Sequence, residues 1–437
     1  MKRVALSAIL IATPAVAQQQ PPIRQLAPIA AKSSVQWNNI IGVRALPGGR
    51  VLVNDIVGRK VVLLDSTLAE VTIVADTTPA TSTAYSGRIA SIIPFRGDST
   101  LFVDPQSMSM MVVDPNGKMT RVMALPRAED AGALSGAFSA NAAMDSQGRL
   151  VYRAPFRFIR NGPPPTNANG LPMMPTPPES AMIVRVDLAT RKLDTIGVIR
   201  IPKVNIQVSQ DDKGNMRINT EVNPLPVVDE WAVLADGSVA FVRGQDYHVD
   251  FLRPDGAKQT APKIPFEWQR LTDEDKVAFI DSVKAARERL AAAQQQTAPT
   301  QAGATGRAQA GPPDGGSGQR VVIQMGPGGG SGPAAAALGG GQPNVNFITP
   351  SELPDYKPPF FANSVRADVE GNLWVRTIPT KQIPGGPVYD VINGEGKLVD
   401  RVQVPVGRTI AGFGRDGSVY LVSRDGSTMT FERTRVR

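Results

Sequence analysis

The chain has 437 residues, 42% of them hydrophobic, and its 47 Lys and Arg against 39 Asp and Glu give a formal charge of +8. This composition is typical of a folded globular protein and excludes a wholly disordered chain. Cys is absent, which excludes disulfides, thiolate metal ligands and thiol nucleophiles.

The N-terminus has the features of a secretory signal peptide. A charged start, Met1 to Arg3, precedes an apolar run from Val4 to Ala12 and a small-x-small sequence that ends at Ala17. We predict cleavage after Ala17, so that residues 1–17 are the signal peptide and residues 18–437 form a single periplasmic or secreted domain. No later stretch approaches the roughly 20 apolar residues of a membrane helix, so we predict no transmembrane segment.

A short phrase recurs six times: a turn that ends on Gly, followed by alternating β-forming residues. It occupies residues 47–53, 97–103, 145–152, 235–242, 369–375 and 415–422. Gly supplies the positive φ of a tight hairpin turn, and the period-two run predicts a strand. Further strands follow each hairpin, as at 59–65 and 70–74, so each unit has four antiparallel strands. The pattern predicts an all-β, six-bladed β-propeller.

The spacing of the turn glycines agrees with this fold. By subtraction, Gly49 to Gly97, Gly97 to Gly148 and Gly371 to Gly417 are 48, 51 and 46 residues apart, near the period of a four-stranded blade. The sixth unit ends at Arg437 after its third strand. We therefore predict that the segment from Ile23 to Ala31 supplies its outer strand and closes the ring, where Pro28 is tolerable on an edge.

Two phrases in the first two units resemble the NHL-type repeat of six-bladed propellers. They are Val53-Asn54-Asp55 followed by Arg59 to Asp65, and Val103-Asp104 followed by Val112 to Gly117. The resemblance covers roughly residues 23–437 apart from insertions, and it points to an exported, bacterial-type propeller. Related propellers include binding modules, lactonases and lyases, so the resemblance implies a fold and no single activity. Units three to six lack the Asp after the second strand.

The long gaps between turn glycines predict three insertions, at residues 155–180, 203–225 and 265–361. The first joins the second strand to the third within unit three, and the others join the fourth strand of one unit to the first strand of the next. In a four-stranded antiparallel sheet these two kinds of connection lie at the same end, which we call the insertion face. Insertions in repeat proteins often collect on the binding face.

Two of the insertions have predicted secondary structure of their own. The second carries a predicted hairpin, Val204 to Ser209 with Met216 to Val222, whose acidic turn at 211–215 is either an ordinary turn or a calcium loop without the closing Glu of an EF-hand. The third begins with a helix capped by Thr272, which is either a bracing or a partner-binding helix. Its predicted apolar stripe is Val277, Ile280, Val283, Arg287 and Leu290.

Residues 296–344 are mostly Gln, Ala, Gly and Pro. Such a composition has too little apolar surface to order itself, so this tract is predicted to be disordered. The island 320–325 within it has the residues to add a strand to the hairpin at 204–222, but disorder is the favoured prediction for it as well.

Catalytic chemistry finds little support in the sequence. His248 is the only histidine, so a multi-histidine metal site is excluded, and a structural or exposed role is expected. Lactonase-type propellers hold a metal near the axis with carboxylates and Asn, for which the chain offers Asp55, Asp104, Asn363 and Asp368. No motif joins these four, so we predict no catalytic residues, no metal and no cofactor.

A more consistent set of candidate binding residues lies at the end of the second strand of each unit: Asn54, Asp104, Arg153, Arg243, Arg376 and Ser423. Units three, four and five are neighbours, so three guanidinium groups would converge on the insertion face. Arg suits carboxylate, phosphate or sulfate, so we predict an anionic-ligand site at Arg153, Arg243 and Arg376. The alternative is that each Arg pairs with an acid of a neighbouring unit.

Two classes of function stay open. The first is a non-catalytic exported propeller, expected as a monomer, that binds a protein, peptide or glycan through its insertion face. The second is a metal-dependent hydrolase or lactonase with its site in the axial channel. Removing Lys2 and Arg3 lowers the charge from +8 to +6 (8 − 2), a mild excess typical of a solvated surface. No nucleic-acid partner is predicted.

Overall fold

The computed structural model describes residues 20–78, 85, 90–135, 141–156, 166, 176–210, 216–297, 344–381, 383–426 and 428–437. This part of the chain is mostly β, with one long helix and seven sheets. Six sheets have four or five strands, and the seventh has three. The architecture is consistent with a β-propeller, as the sequence predicts.

The chain opens with two short strands, β1 (Ile23–Gln25) and β2 (Ala31–Lys32). Sheet 1 then consists of β3 (Ile40–Ala45), β4 (Val51–Asp55), β5 (Lys60–Leu64) and β6 (Glu70–Ala75). Sheet 2 consists of β7 (Ser91–Pro94), β8 (Thr100–Asp104), β9 (Ser109–Val113) and β10 (Met119–Ala124). Sheet 3 consists of β11 (Ala143–Met144), β12 (Leu150–Arg153), β13 (Ser180–Val186) and β14 (Leu193–Arg200).

An insert sheet follows, with β15 (Val204–Gln210) and β16 (Met216–Val222) and a later strand described below. Sheet 4 consists of β17 (Glu230–Val233), β18 (Val239–Arg243), β19 (His248–Leu252) and β20 (Lys258–Thr260). After the helix α1 (Asp273–Thr297) and β21 (Asn344–Phe347), sheet 5 consists of β22 (Phe360–Ala367), β23 (Leu373–Thr377), β24 (Val388–Ile392) and β25 (Leu398–Gln403). Sheet 6 consists of β26 (Arg408–Phe413), β27 (Ser418–Asp425) and β28 (Thr428–Arg435). Short 3-10 helices lie at Pro47–Gly49, Ala128–Asp130 and Pro350–Glu352.

The Gly hairpins join the first strand of each sheet to the second, as predicted. In all six, the turn Gly has a positive φ, which a side chain rarely adopts: Gly49 (74°), Gly97 (60°), Gly148 (72°), Gly237 (84°), Gly371 (88°) and Gly417 (73°). We call this end of the sheets the turn face. The opposite end is the insertion face.

Apolar clusters lie between consecutive sheets, including one between sheet 6 and sheet 1. In β8, for example, Leu101 and Val103 face sheet 3 while Phe102 faces sheet 1. A strand that is covered on both faces needs apolar residues at every position, which explains why the second strands are near-continuous runs of Val, Leu and Phe. The packing places each sheet between two others.

The N-terminal segment is divided between two sheets, which corrects the predicted outer strand from Ile23 to Ala31. Residues 26–33 run antiparallel to β28 of sheet 6, as predicted: Leu26 forms a bridge with Val436, the amides of Ala27 and Ser33 donate to the carbonyls of Arg435 and Phe431, and β2 places Ala31 opposite Arg433. The correction concerns Ile23–Gln25, because β1 pairs in parallel with β25 of sheet 5, where Ile23 lies opposite Arg401. Pro28 lies in the stretch beside β28, at the edge of the sheet, where its missing N–H is tolerated.

The insert sheet contains the predicted hairpin, and its third strand is β21, which runs parallel to β16. This strand comes from the end of the low-complexity range. The island 320–325, which was considered for that place, lies outside the described residues, as do residues 1–17 and 211–215 and most of 296–344.

The helix α1 begins as predicted. Thr272 and Asp275 form reciprocal bonds, from the Asp275 amide to Thr272 Oγ1 (3.2 Å) and from the Thr272 amide to Asp275 Oδ2 (3.0 Å). The buried side differs from the predicted stripe, because Lys276 and Ile280 are buried while Val277 is 47% exposed. Lys276 packs its stem inward and pairs its ammonium with Asp355 at 2.8 Å.

Among the described residues, no helix is both long and apolar enough to cross a membrane.

Candidate functional site at the insertion face

The three predicted arginines close β12, β18 and β23, at the insertion face. Arg243 is held by two aspartates: Nη1 donates to Asp229 Oδ2 (2.9 Å) and Nε donates to Asp250 Oδ2 (2.8 Å). Nη1 also donates to the carbonyl of Val198 in sheet 3 (2.9 Å). The charge of Arg243 is therefore balanced by two acids of its own sheet, which favours a structural ion pair over a free ligand site for this residue.

Arg153 and Arg376 have different surroundings. Burial lowers the pKa of Arg153, while the carboxyl of Glu230 opposes that shift. Arg376 is exposed, and its charge lowers the pKa of Tyr389, whose burial acts in the opposite direction. The charges of Arg153 and Arg376 therefore act on different groups, Glu230 and Tyr389, and a site shared by all three arginines stays a prediction.

Glu230 is the most unusual carboxyl at this face. It is the first residue of β17, the first strand of sheet 4, and is only 7% exposed. Burial raises its pKa to about 7, against the lowering effects of the Asn363 amide, Arg366 and Arg153. The amide of Asn363 donates to Glu230 Oε1 at 2.6 Å. A buried carboxyl that titrates near neutrality is a recurrent feature of functional sites.

Asn363 is positioned by an irregularity in β22. The register of β22 against β23 shifts between Phe360 and Val365, and Asn363 has a φ of 60°. Asn tolerates this left-handed conformation better than most residues with a side chain. The bulge directs the Asn363 amide to Glu230 rather than to the ladder, which is how bulges commonly re-aim groups beside a site.

Three sheets are connected beside Glu230. Asn141, just before β11 of sheet 3, donates from Nδ2 to the carbonyl of Trp231 in sheet 4 (2.7 Å). Arg366 of sheet 5 donates from Nη1 to its neighbour's carbonyl at Val365 (2.9 Å) and makes a long contact of 3.5 Å with Asn141 Oδ1. We call this group the inner cluster, because it is built around the first strands of sheets 3, 4 and 5: Asn141, Arg153, Glu230, Asn363 and Arg366.

Arg366 has donors to spare. Its two hydrogen bonds in the described part of the chain both come from Nη1, so Nε and Nη2 keep N–H groups for a further acceptor. Burial lowers its pKa, and Glu230 is the first group that acts against this. The inner cluster therefore joins one carboxyl of pKa about 7 to two guanidinium groups, and it favours an anion.

The four residues considered for an axial metal do not come together. Asp55 accepts from the amides of Asn38, Asn39 and Gly58, and Asp104 accepts from Gln106 and Ser107 close to it in sequence. Asp368 accepts from Trp374 Nε1 and two amides at the turn face. Only Asn363 lies in the inner cluster. Within the described ranges, no three His, Asp or Glu side chains are grouped as metal ligands.

His248 is placed between two acids on β19. Its Nδ1 lies 2.7 Å from Asp246 Oδ1, and its Nε2 lies 3.4 Å from Asp250 Oδ1. Since Asp250 also holds Arg243, the histidine belongs to an ion-pair network within sheet 4. Its contacts are those of a structural residue, one of the two roles expected from the sequence.

Glu230 and Arg366 were missed in the sequence because neither belongs to a motif. A signal was present for Glu230: it directly precedes the apolar run Trp231 to Leu234, so the first strand of unit four begins with an acid. A strand start that faces a neighbouring sheet buries its side chain. Comparing the strand starts, rather than the strand ends, of the six units would have selected it.

No known protein family matches the sequence, and no curated protein matches it. Similar solved structures have propeller-type folds. They include a gluconolactonase from Xanthomonas campestris (11% identity, TM-score 0.38, covering 98% of this chain and 99% of that one). A calcium-binding regucalcin from Agrobacterium tumefaciens has 11% identity and a TM-score of 0.39, over 95% and 97% of the two chains. A member of the DUF4221 family from Bacteroides vulgatus has 9% identity and a TM-score of 0.42, over 97% and 98%.

Proposed function

We propose that this protein is an exported, NHL-like, six-bladed β-propeller that binds an anionic group of a protein, peptide or glycan at its insertion face. The ligand would bind beside the inner cluster, with Arg366 and Arg153 as its cationic partners. The observation that carries the proposal is the free donor side of Arg366 next to a buried carboxyl whose pKa is about 7. Arg376, exposed on sheet 5, which also contains Arg366, would add to the positive potential along the approach.

The six-bladed ring is part of this proposal. Its support is the set of apolar clusters, one between every two consecutive sheets and one between sheets 6 and 1. The first strands also lie next to each other, β3 beside both β26 and β7, and β17 beside β22. In such a ring the first strands surround the axis, so the inner cluster would lie at the axial opening on the insertion face.

Binding of an anion would depend on the protonation of Glu230. An ionised Glu230 competes with the ligand for the guanidinium of Arg366, whereas a neutral Glu230 does not. Since the pKa of Glu230 is about 7, affinity for an anion should be highest in mildly acidic solution and should fall as pH rises through neutrality.

The alternative of a metal-dependent hydrolase or lactonase fits the residues less well. Asp55, Asp104 and Asp368 are occupied in local turns, and the carboxyl left at the centre has two guanidinium groups beside it. Two cations next to a single carboxylate oppose a divalent cation. We therefore derive no metal-assisted step. Metal analysis of the purified protein, with a lactone hydrolysis assay, tests this alternative directly.

The proposal is tested with oxyanion probes. The mature protein would be titrated with sulfate and with D-glucuronate at constant ionic strength, with calorimetry and thermal shift as readouts. We expect binding by the wild type, loss of binding in Arg366→Gln and Arg153→Gln, and no change in the control Arg121→Gln, whose side chain is exposed on β10. Circular dichroism of each variant verifies the fold. Equal binding by Arg366→Gln, or none by the wild type, would contradict the proposal.

A further inference from the structure

A cavity of about 180 Å³ lies away from the inner cluster, between sheet 4 and sheet 5. Three pieces of chain frame it: the N-terminal segment at Gln20 and Ile23, the connection after sheet 4 at Phe266 and Glu267, and the loop after β23 from Thr377 to Ile383. The two connections belong to the insertion face. Asp390 of β24 and Arg401 of β25 form the polar part of its wall.

Asp390 is a buried acid with two donors. Tyr247, buried at the end of the β18–β19 turn, donates from its hydroxyl to Asp390 Oδ2 at 2.9 Å. Arg401 Nε donates to Asp390 Oδ1 at 3.3 Å, and its Nη1 donates to Gln20 Oε1 at 3.0 Å. These bonds hold the carboxylate and the guanidinium in fixed positions side by side.

Asp390 and Arg401, which both line the cavity, can each make further hydrogen bonds. Each oxygen of a carboxylate accepts about two hydrogen bonds, and each Asp390 oxygen accepts one in the described structure. Arg401 uses Nε and Nη1, so Nη2 keeps its N–H groups. An acceptor and a donor that stand next to each other match a pair of neighbouring hydroxyl groups, each of which both donates and accepts.

The rest of the lining includes apolar side chains. Phe266 is fixed by edge-to-face contacts with Tyr247 (centroids 5.7 Å apart) and Trp268 (5.2 Å). Ile23, Ile378 and Ile383 also line the cavity. A lining that combines an aromatic ring and aliphatic side chains with a fixed donor and acceptor suits a ligand that has both C–H faces and hydroxyl groups.

The charges around the cavity are balanced. Asp390 is paired with Arg401, and at the mouth Lys381 is paired with Glu267 at 2.8 Å. Two acids and two bases leave no net charge to attract an ion, so the ligand that fits is neutral. This separates the cavity from the inner cluster, where two guanidinium groups face one carboxyl.

We propose that this cavity binds one neutral sugar ring in pyranose form. A pyranose has apolar C–H faces, a rim of neighbouring hydroxyl groups and no charge, and a cavity smaller than the roughly 300 Å³ of ordinary ligand sites accommodates a single ring. A ligand of about a dozen heavy atoms in such a site binds with a dissociation constant on the order of 1 mM. The ring is either a free monosaccharide or the terminal unit of a glycan, since both present the same edge.

The test uses neutral pyranosides. The mature protein would be titrated with the methyl α-pyranosides of glucose, galactose and mannose at up to tens of millimolar, followed by saturation-transfer NMR and thermal shift. We expect at least one to bind. Thr380→Trp, which fills the mouth from the loop, should abolish the signal, and the control Thr120→Trp, on exposed β10, should retain it. Arg401→Lys keeps the charge without the paired N–H groups, so it should weaken binding about tenfold.

Two comparisons complete the test. A disaccharide that ends in the same sugar should bind at least as well if the source is a glycan end, and more weakly if the site takes free monosaccharides. The wild type binding none of the pyranosides, or Thr380→Trp binding them unchanged, would overturn the proposal. Arg366→Gln should bind the pyranoside normally, so failure of the oxyanion site and failure of the sugar site are distinguishable.

Discussion

The two faces of the sheets use their carboxyl groups in opposite ways. At the turn face, Asp114 accepts from the amides of Asn116 and Lys118, and Asp187 accepts from those of Ala189 and Thr190. Equivalent turn acids on other sheets do the same within their own turns, at Asp65, Asp145, Asp236 and Asp368. These carboxylates accept several N–H bonds within a few residues of themselves, which is the geometry that turns favour.

At the insertion face, two acids are buried and contact other sheets, namely Glu230 and Asp390. The pKa of Glu230 is raised to about 7 and that of Asp390 to about 6, in both cases mainly by burial. Their partners are remote in sequence, namely the Asn363 amide and the Tyr247 hydroxyl. By contrast, hydrogen bonds from Thr67 lower the pKa of Asp65 at the turn face. The contrast shows that the turn face stabilises the strands, and that the insertion face contains the acids suited to binding.

We propose that both faces belong to one closed ring. Removing the N-terminal segment is the strongest test of that ring. Deleting residues 20–32 removes β1 and β2 and exposes the edges of sheets 5 and 6. We expect a loss of at least ~5 kcal/mol, comparable with the whole stability of a typical domain, measured by urea denaturation. Deleting only 20–25 should cost less, because β2 remains. A midpoint unchanged by the longer deletion would contradict the closed ring.

Glu230→Gln should give the next largest effect. Glu230 makes the folded state less stable as pH rises, which is opposite to the effect of an acid whose pKa is lowered by folding. Since the folded pKa of about 7 lies above the ordinary value of 4.5 for Glu, the stabilising effect of protonation is complete below pH 4.5 and is lost as pH rises through about 7. A shift of this size corresponds to about 3 kcal/mol. The wild type should therefore lose stability from pH 5 to 8, and Glu230→Gln should lose less.

Denaturant midpoints measured at half-unit pH intervals check this. The pKa of Asp390 is also raised, to about 6, so Asp390 too makes the protein less stable as pH rises. The Glu230→Gln variant should therefore keep a smaller dependence of stability on pH. Asp114→Asn, on the turn face, should follow the wild-type curve. Parallel curves for the wild type and Glu230→Gln would show that Glu230 titrates as an exposed acid.

Tyr247→Phe tests the second buried acid and should have a moderate effect. The change removes a single hydroxyl that donates to Asp390 and leaves the aromatic packing against Phe266 in place. A buried carboxyl that loses one donor costs about 1 to 3 kcal/mol. The matched control is Tyr356→Phe, since Tyr356 is 50% exposed, and its melting temperature should be that of the wild type. Equal melting temperatures for both variants would count against a buried Asp390.

Substitutions of Asp114 should have the smallest effect on stability, and they test whether the acids of the turn face act through turn geometry or through charge. Asp114→Ala removes both acceptor bonds of one turn, for an expected loss of about 1 kcal/mol in thermal or urea unfolding. Asp114→Asn keeps an oxygen at the same place and should be close to the wild type. If Asn is as destabilising as Ala, the charge matters more than the turn geometry.

Features that depend on short stretches were predicted well. The Gly hairpins and the Thr272 cap follow from residues that are close together in sequence, and the four-stranded units follow from the repetition of such hairpins. The errors concern residues whose environment is made by distant parts of the chain. The N-terminal segment was assigned to one sheet and serves two, and Val277 is exposed where Lys276 is buried.

The sequence by itself determined the repeat, the turns and the end of the sheets at which the insertions lie, because these depend on local backbone preferences and on a two-residue side-chain period. Only the tertiary structure decided which polar groups matter. Arg243 is neutralised by Asp229 and Asp250, whereas Glu230 and Asp390 have pKa values of about 7 and 6. These outcomes depend on desolvation and on charges that lie far apart in sequence or on other strands, and no spacing within the chain encodes them.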